Sequence, residues 1–233
     1  MIKKFRILWG LGVAATISAL PYIFTLQKSV IEKAGQPLWV VGVASTLQAG
    51  ILLAVAVFFG LKLVKAINFN PFVFWESSVP AKENIKRILK LSIPIGVAVA
   101  LVIKFGDFFF LKSIPELKIA SEAIPFWKAL LVAPYGGVVE ELLMRLFLVT
   151  LFAWAFGRLF KSAEVIKNNW IMWASIIVVS VIFGLGHLPA TATIVALTPI
   201  VITRAIILNG IGGVAFGWLY WKKGLEYAIV AHF

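Results

Sequence analysis

Long uninterrupted apolar runs constrain this chain more than any other feature. They cover about Ile7–Leu26, Pro37–Val64, Leu91–Leu111, Phe126–Phe160, Trp170–Leu188 and Ile200–Tyr220. Each approaches or exceeds the ~20 residues that cross a bilayer as a helix. In hydrocarbon, backbone N–H and C=O groups must pair within a helix or around a closed barrel. A barrel would alternate apolar and polar residues, and these runs do not. The sequence therefore predicts an all-α fold, a polytopic transmembrane helical bundle of about seven or eight helices. Residues are 61% hydrophobic and only 14% charged, more apolar surface than a soluble domain needs.

The charged residues lie mostly between the runs. Lys and Arg number 22 against 10 acids, for a net charge of +12. In a soluble protein that balance would suggest nucleic acid as a partner. Here it reads as a topology signal and as contact with anionic lipid headgroups, and nucleic acid is not expected. Basic clusters at the N-terminus, Lys62–Lys90, Arg158–Lys167 and Lys222–Lys223 predict a cytoplasmic N-terminus; the membrane expected is that of a prokaryotic cell. Met1–Arg6 resembles a signal-peptide n-region, but Pro21 and the lack of a small-x-small site predict a retained first span. Cysteine is absent, which excludes thiol catalysis and thiolate metal sites.

Residues 1–125 divide into transmembrane helices and one interfacial segment, and 126–233 hold the motifs, within one integrated membrane domain. In Lys65–Lys90, the aromatic Trp75-Glu76-Ser77-Ser78 stretch and the four-residue repeat Lys82/Lys86/Lys90 suit an interfacial helix or a solvated loop. Lys104 and Asp107 have the spacing of an intrahelical pair. As one helix Phe126–Phe160 would be roughly 50 Å long, so a kink is expected at Pro134-Tyr135-Gly136-Gly137. Ala190–Pro199 reads as a short or re-entrant helix. Trp218, Tyr220 and Trp221 read as an aromatic belt. The stretch from Gly224 opens an apolar helix too short to cross, so the chain reads as truncated at its C-terminus.

Three ionisable residues stand inside the fourth run, in Gly136-Gly137-Val138-Val139-Glu140-Glu141-Leu142-Leu143-Met144-Arg145. At membrane depth such groups are costly and need partners, water or a function. Glu141 and Arg145 are four apart with the acid first, the favourable order for a pair. Glu140 points about 100° away and, just after a kink, would sit at a helix N-terminus that favours its charge. Phe183-x-x-x-His187 and His232 supply the only imidazoles. A carboxylate shared with imidazole can activate water, and two histidines with glutamate can hold a zinc with an open position. Both chemistries are hydrolytic.

These three motifs, in this order, resemble the CAAX-protease and bacteriocin-processing family, intramembrane proteases related to the type II CAAX prenyl endopeptidase. The resemblance covers about Phe126–Phe233. Glu140, Glu141 and Arg145 match the first motif, and Phe183 with His187 the second. Asn209-Gly210, Phe216-Gly217, Tyr220 and Gly224 match the glycine-rich lead-in to the third, in which His232 falls. It implies a conical intramembrane cavity open to one side. It also implies that Glu140 activates water, that His187 assists it or binds metal, and that His232 stabilises the oxyanion. Glu141 with Arg145 would orient the helix or touch substrate. The mechanism expected is metal-free, with zinc on Glu140, His187 and His232 as the alternative and no firm cofactor. The family's third motif continues with Asn or Asp four positions after the histidine, beyond Phe233, so a chain ending here is expected to cleave weakly or not at all.

The reading that results is an intramembrane endopeptidase acting on a hydrophobic or lipid-anchored peptide or protein, a prenylated CAAX-type chain being one class. The alternatives are a non-enzymatic membrane protein of the same fold, serving immunity or scaffolding, and an ion-coupled transporter. The lack of an internal repeat argues against the last.

Overall fold

The computed structural model describes residues 1–76, 78–122 and 124–233; Ser77, within the aromatic stretch named above, lies outside the described residues. All regular structure among them is helical. The long helices are α1 (Ile2–Leu26), α3 (Leu38–Ala66), α5 (Ala81–Leu111), α7 (Phe126–Leu159), α8 (Asn169–Gly186) and α10 (Pro199–Lys222). Each, α8 together with the short helix that follows it, is long and apolar enough to cross a membrane. Short helices α2 (Lys28–Ala34), α4 (Val73–Glu76), α6 (Pro115–Glu122), α9 (Leu188–Thr191) and α11 (Leu225–His232) stand between or after them.

Local chemistry sets the ends. Pro37, Pro80 and Pro125 occupy the caps before α3, α5 and α7, and Pro199 opens α10, where a missing N–H costs nothing. The Asn168 side chain accepts from the Ile171 N–H at 3.3 Å and caps α8. Gly35 ends α2 at φ +62°. Pro21 and Pro94 lie inside helices that continue past them.

One core joins both halves of the chain. Leu8, Leu53 and Val57 pack with Leu142, Leu146, Ile176 and Tyr220. Small residues let the helices approach closely. A Cβ at Gly184 would lie 2.6 Å from the Ile206 Cα, and one at Gly213 would lie 2.6 Å from the Ser180 Oγ. Leu47, Ile51, Leu101 and Phe105, by contrast, are more than 60% exposed, as lipid-facing side chains should be.

Several local expectations are corrected. Lys82, Lys86 and Lys90 form neither a separate interfacial helix nor a loop. They lie on the first turns of α5, whose 31 residues run straight on into the third apolar run. Asp107 does not pair with Lys104; it pairs with Arg204 of α10, whose planar fork holds both carboxylate oxygens. Tyr220 and Trp221 are buried rather than belted at the surface. Each finds an internal hydrogen-bond partner, Tyr220 with Thr150 at 2.7 Å and Trp221 Nε1 with the Ile166 carbonyl at 2.9 Å. Only Leu188–Thr191 of the stretch before Pro199 is helical.

The largest correction concerns α7. The helix runs on without a break through Pro134-Tyr135-Gly136-Gly137, where the kink is expected. It widens, with Tyr135–Glu140 and Leu142–Val149 wound as π-helix. A wider turn absorbs the proline without exposing a helix end, so Glu140 has no helix N-terminus beside it. Such turns occur frequently at functional sites.

Candidate functional site

Three elements meet at Glu140. The π-helical part of α7 carries Glu140, Glu141 and Arg145. The C-terminal end of α8 carries Phe183 and His187, and α11 carries His232. Gly136 and Gly137 make room for α11. A Cβ at Gly136 would lie 3.2 Å from the His232 Nε2, and one at Gly137 would lie 3.1 Å from the Ile229 carbonyl. On its other side α11 packs on α5, where Gly96 meets the Ala231 backbone and the Ser92 hydroxyl donates to the Tyr227 carbonyl at 2.9 Å. The start of α11 is tied down by the Leu225 N–H donating to Pro71 O at 2.7 Å. The Glu226 carboxylate accepts there from the Val73 and Phe74 N–H groups at 3.1 and 3.2 Å.

Each histidine has its Nδ1 anchored and its Nε2 turned on Glu140. His187 Nδ1 lies 2.8 Å from the Phe183 carbonyl. A carbonyl only accepts, so Nδ1 carries the hydrogen, and the Nε2 of the neutral ring is left as an acceptor. That Nε2 lies 3.9 Å from Glu140 Oε1. His232 Nδ1 lies 2.7 Å from Glu141 Oε1, and its Nε2 lies 3.5 Å from Glu140 Oε2. With the carboxylate accepting, His232 takes the same tautomer. Both separations from Glu140 are long for direct hydrogen bonds and suit groups bridged by one small polar molecule.

Behind His232 stands a buried ion pair. Glu141 and Arg145 side chains are 0% and 1% exposed, with Nη1 2.9 Å from Oε1. Arg145 Nη2 donates to the Gly212 and Gly213 carbonyls at 3.3 and 3.1 Å, which fastens α7 to α10. The guanidinium lies between Phe183 and Phe216, 5.5 and 5.6 Å from the ring centres. His232 stacks on Phe216 at 4.6 Å, and Phe183 meets both imidazoles edge-on. Glu141 Oε2 is buried without a hydrogen-bond partner among the described residues.

The expected pairing of Glu141 with Arg145, and the separation of Glu140 from it, are therefore both present. Burial removes one expected role, since a fully enclosed Glu141 cannot touch substrate. Sequence reasoning missed the Glu141–His232 bond, which joins residues 91 apart and leaves no local spacing signal. It also missed the wall opposite Glu140, formed by Gly96, Ile103 and Asn209.

Two cavities meet at Glu140, Phe183 and His187. One, of about 170 Å³, lies among α5, α10 and α11 and includes His232 and Asn209. The other, of about 520 Å³, lies among α1, α7 and α8 and is lined by Tyr22, Leu26, Tyr135 and Met144. Among the described residues, no group of three or more His, Cys, Asp and Glu side chains is arranged to hold a metal ion.

No curated protein and no solved structure matches the chain. Residues 122–233 match the family described as type II CAAX prenyl endopeptidase Rce1-like. That match contains Glu140, Glu141, Arg145, His187 and His232, the residues that the fold gathers around one point. Over residues 122–233, this membrane-spanning chain is similar to the type II CAAX prenyl endopeptidase Rce1-like family.

Proposed function

We propose that the protein is an intramembrane endopeptidase that hydrolyses a peptide bond in a hydrophobic, membrane-associated peptide or protein, by water activated at Glu140. The observation that carries this reading is the convergence of two imidazole acceptors and one carboxylate, at 3.5 and 3.9 Å, beside cavities with apolar walls. A water there donates to Glu140 and to an imidazole Nε2, which aims its oxygen lone pair at a scissile carbonyl. Glu140 takes the proton as the oxygen attacks.

The two histidines have different parts. His187, backed by a neutral carbonyl, remains an acceptor and orients the water. His232 is backed by the Glu141 carboxylate, which can hold the ring when it takes up a proton. Only in that protonated form does its Nε2 donate, so stabilising the oxyanion or protonating the leaving amine falls to His232. Arg145 holds the Glu141 carboxylate in place.

The test is cleavage of a hydrophobic membrane-spanning peptide by the purified protein in detergent. Glu140→Gln is expected to lower the rate by at least about 10²-fold, the usual worth of a positioned general base, with unchanged elution and melting. A Glu140→Gln protein that cleaves at the wild-type rate overturns the reading.

A further inference from the structure

We infer that an anionic phospholipid binds in a basic cavity between the start of α1 and the end of α3, with its phosphate held by Lys4 and Lys65. The site lies outside the machinery around Glu140 and does not depend on the proteolytic reading.

Helix geometry puts this cavity at headgroup depth. α1 and α3 run antiparallel: a Cβ at Gly12 would meet Leu53, one at Gly42 would meet Phe24, and Trp9 Nε1 donates to the Gly50 carbonyl at 2.8 Å. The start of α1 therefore lies beside the end of α3. The 29 residues of α3 extend about 44 Å at 1.5 Å each, against a hydrocarbon core of ~30 Å. Its last turn, which holds Lys65, reaches the headgroups. A left-handed cap closes that turn. Asn68 stands at φ +51°, its N–H donates to the Lys65 carbonyl at 3.2 Å, and the Phe69 N–H donates to the Val64 carbonyl at 2.8 Å. These bonds occupy carbonyls at the helix end that would otherwise repel an anion.

The cavity holds about 490 Å³, and its lining divides by chemistry. Lys4, Lys65 and Asn68 supply cations and an amide, while Leu61, Val64 and Phe72, all buried, supply apolar walls. Among the described residues, no Asp or Glu lines it. Lys4 Nζ lies 4.6 Å from the centre of the Phe72 ring, a contact that fixes the ammonium without neutralising it. The nearby Glu226 carboxylate feels the Lys4 charge, but it stands outside the lining and accepts from the Val73 and Phe74 N–H groups. Asn68 also lines an adjoining cavity of about 100 Å³ with Arg158 and Ser162, so the cationic ground continues beyond Lys65. Fixed positive charge at headgroup depth, over apolar walls, matches a phosphate joined to glycerol and acyl chains.

The test is a titration of the full chain, purified in a neutral detergent, with phosphatidylglycerol or phosphatidylcholine, read by native mass spectrometry. Phosphatidylglycerol is expected to fill one site before any other and to bind more tightly than phosphatidylcholine. Lys4→Gln and Lys65→Gln should each weaken it about fivefold, the worth of one basic residue at a charged membrane surface, and about 25-fold together. Lys65 is exposed, so its variant should fold and melt as the wild type does. Lys62→Gln makes the same charge change on the same helix, at a lysine that lies over Phe58 and outside the cavity, and should leave binding unchanged. Equal weakening by Lys62→Gln and Lys65→Gln would mean diffuse attraction and overturns the site. Phosphatidylglycerol binding no tighter than phosphatidylcholine overturns it as well. Inorganic phosphate should fail to displace the lipid; displacement would overturn the lipid as occupant in favour of free phosphate. Every readout is binding, so a failure here is distinct from a failure of Glu140 as a base.

Discussion

At the residue scale, Glu141 Oε1 is the most heavily used atom of the site. It faces His232 Nδ1 at 2.7 Å and Arg145 Nη1 at 2.9 Å. Glu141→Gln keeps an acceptor for the ring but removes the charge that holds its protonated form. Cleavage should fall on the order of 10²-fold or more, as when the carboxylate behind a catalytic histidine becomes an amide. The same change strands a buried guanidinium, at a cost of about 3–5 kcal/mol. Thermal melting in detergent checks this, and Glu141→Gln combined with Arg145→Met should recover much of the loss. A Glu141→Gln protein that melts like the wild type would show that the pair carries no such weight. The Asp107–Arg204 pair is less enclosed, each side chain about a quarter exposed, so Asp107→Asn should cost less than a fully buried pair. The double exchange Asp107→Arg, Arg204→Asp should restore stability if charge pairing is what matters.

At the element scale, the position of α11 decides whether the site exists. It is held between α7, through Gly136 and Gly137, and α5, through Gly96. Gly96→Ala puts a methyl group into the Ala231 backbone. Such overpacking costs typically ~1–3 kcal/mol and should displace His232, next in the chain. Melting and cleavage should both fall, whereas Gly210→Ala, a position with open space, should change neither. The spacing of Glu140, Glu141 and Arg145 was legible because three ionisable groups in an apolar run are rare and costly. The winding of α7 was not. Pro134 with two glycines signals a helix under strain, but strain can be relieved by a break or by widening, and only the packing of α11 against the glycines selects the second.

At the scale of the whole molecule, a helical bundle could be read directly, because run length and continuity follow from the thickness and dryness of the bilayer. Pairings between runs could not. Asp107 reaches Arg204 across 97 positions, and an exposed Lys104 three residues away offered a nearer partner in the sequence. Burial of Tyr220 and Trp221 was likewise hidden, since an aromatic pair before two lysines suits a membrane interface as well as a core. The motif residues were legible as a set, but the hydrogen bonds that give them separate roles are tertiary. Those bonds make the central claim, that both imidazoles turn an unprotonated Nε2 on Glu140. With two histidines in the chain, the nitrogen NMR spectrum of histidine-labelled protein in detergent reads both rings at once. At a pH where both rings are neutral, the account predicts two Nδ1–H tautomers, with the His232 signals moving in Glu141→Gln and the His187 signals in place. An Nε2–H tautomer at either ring would contradict it.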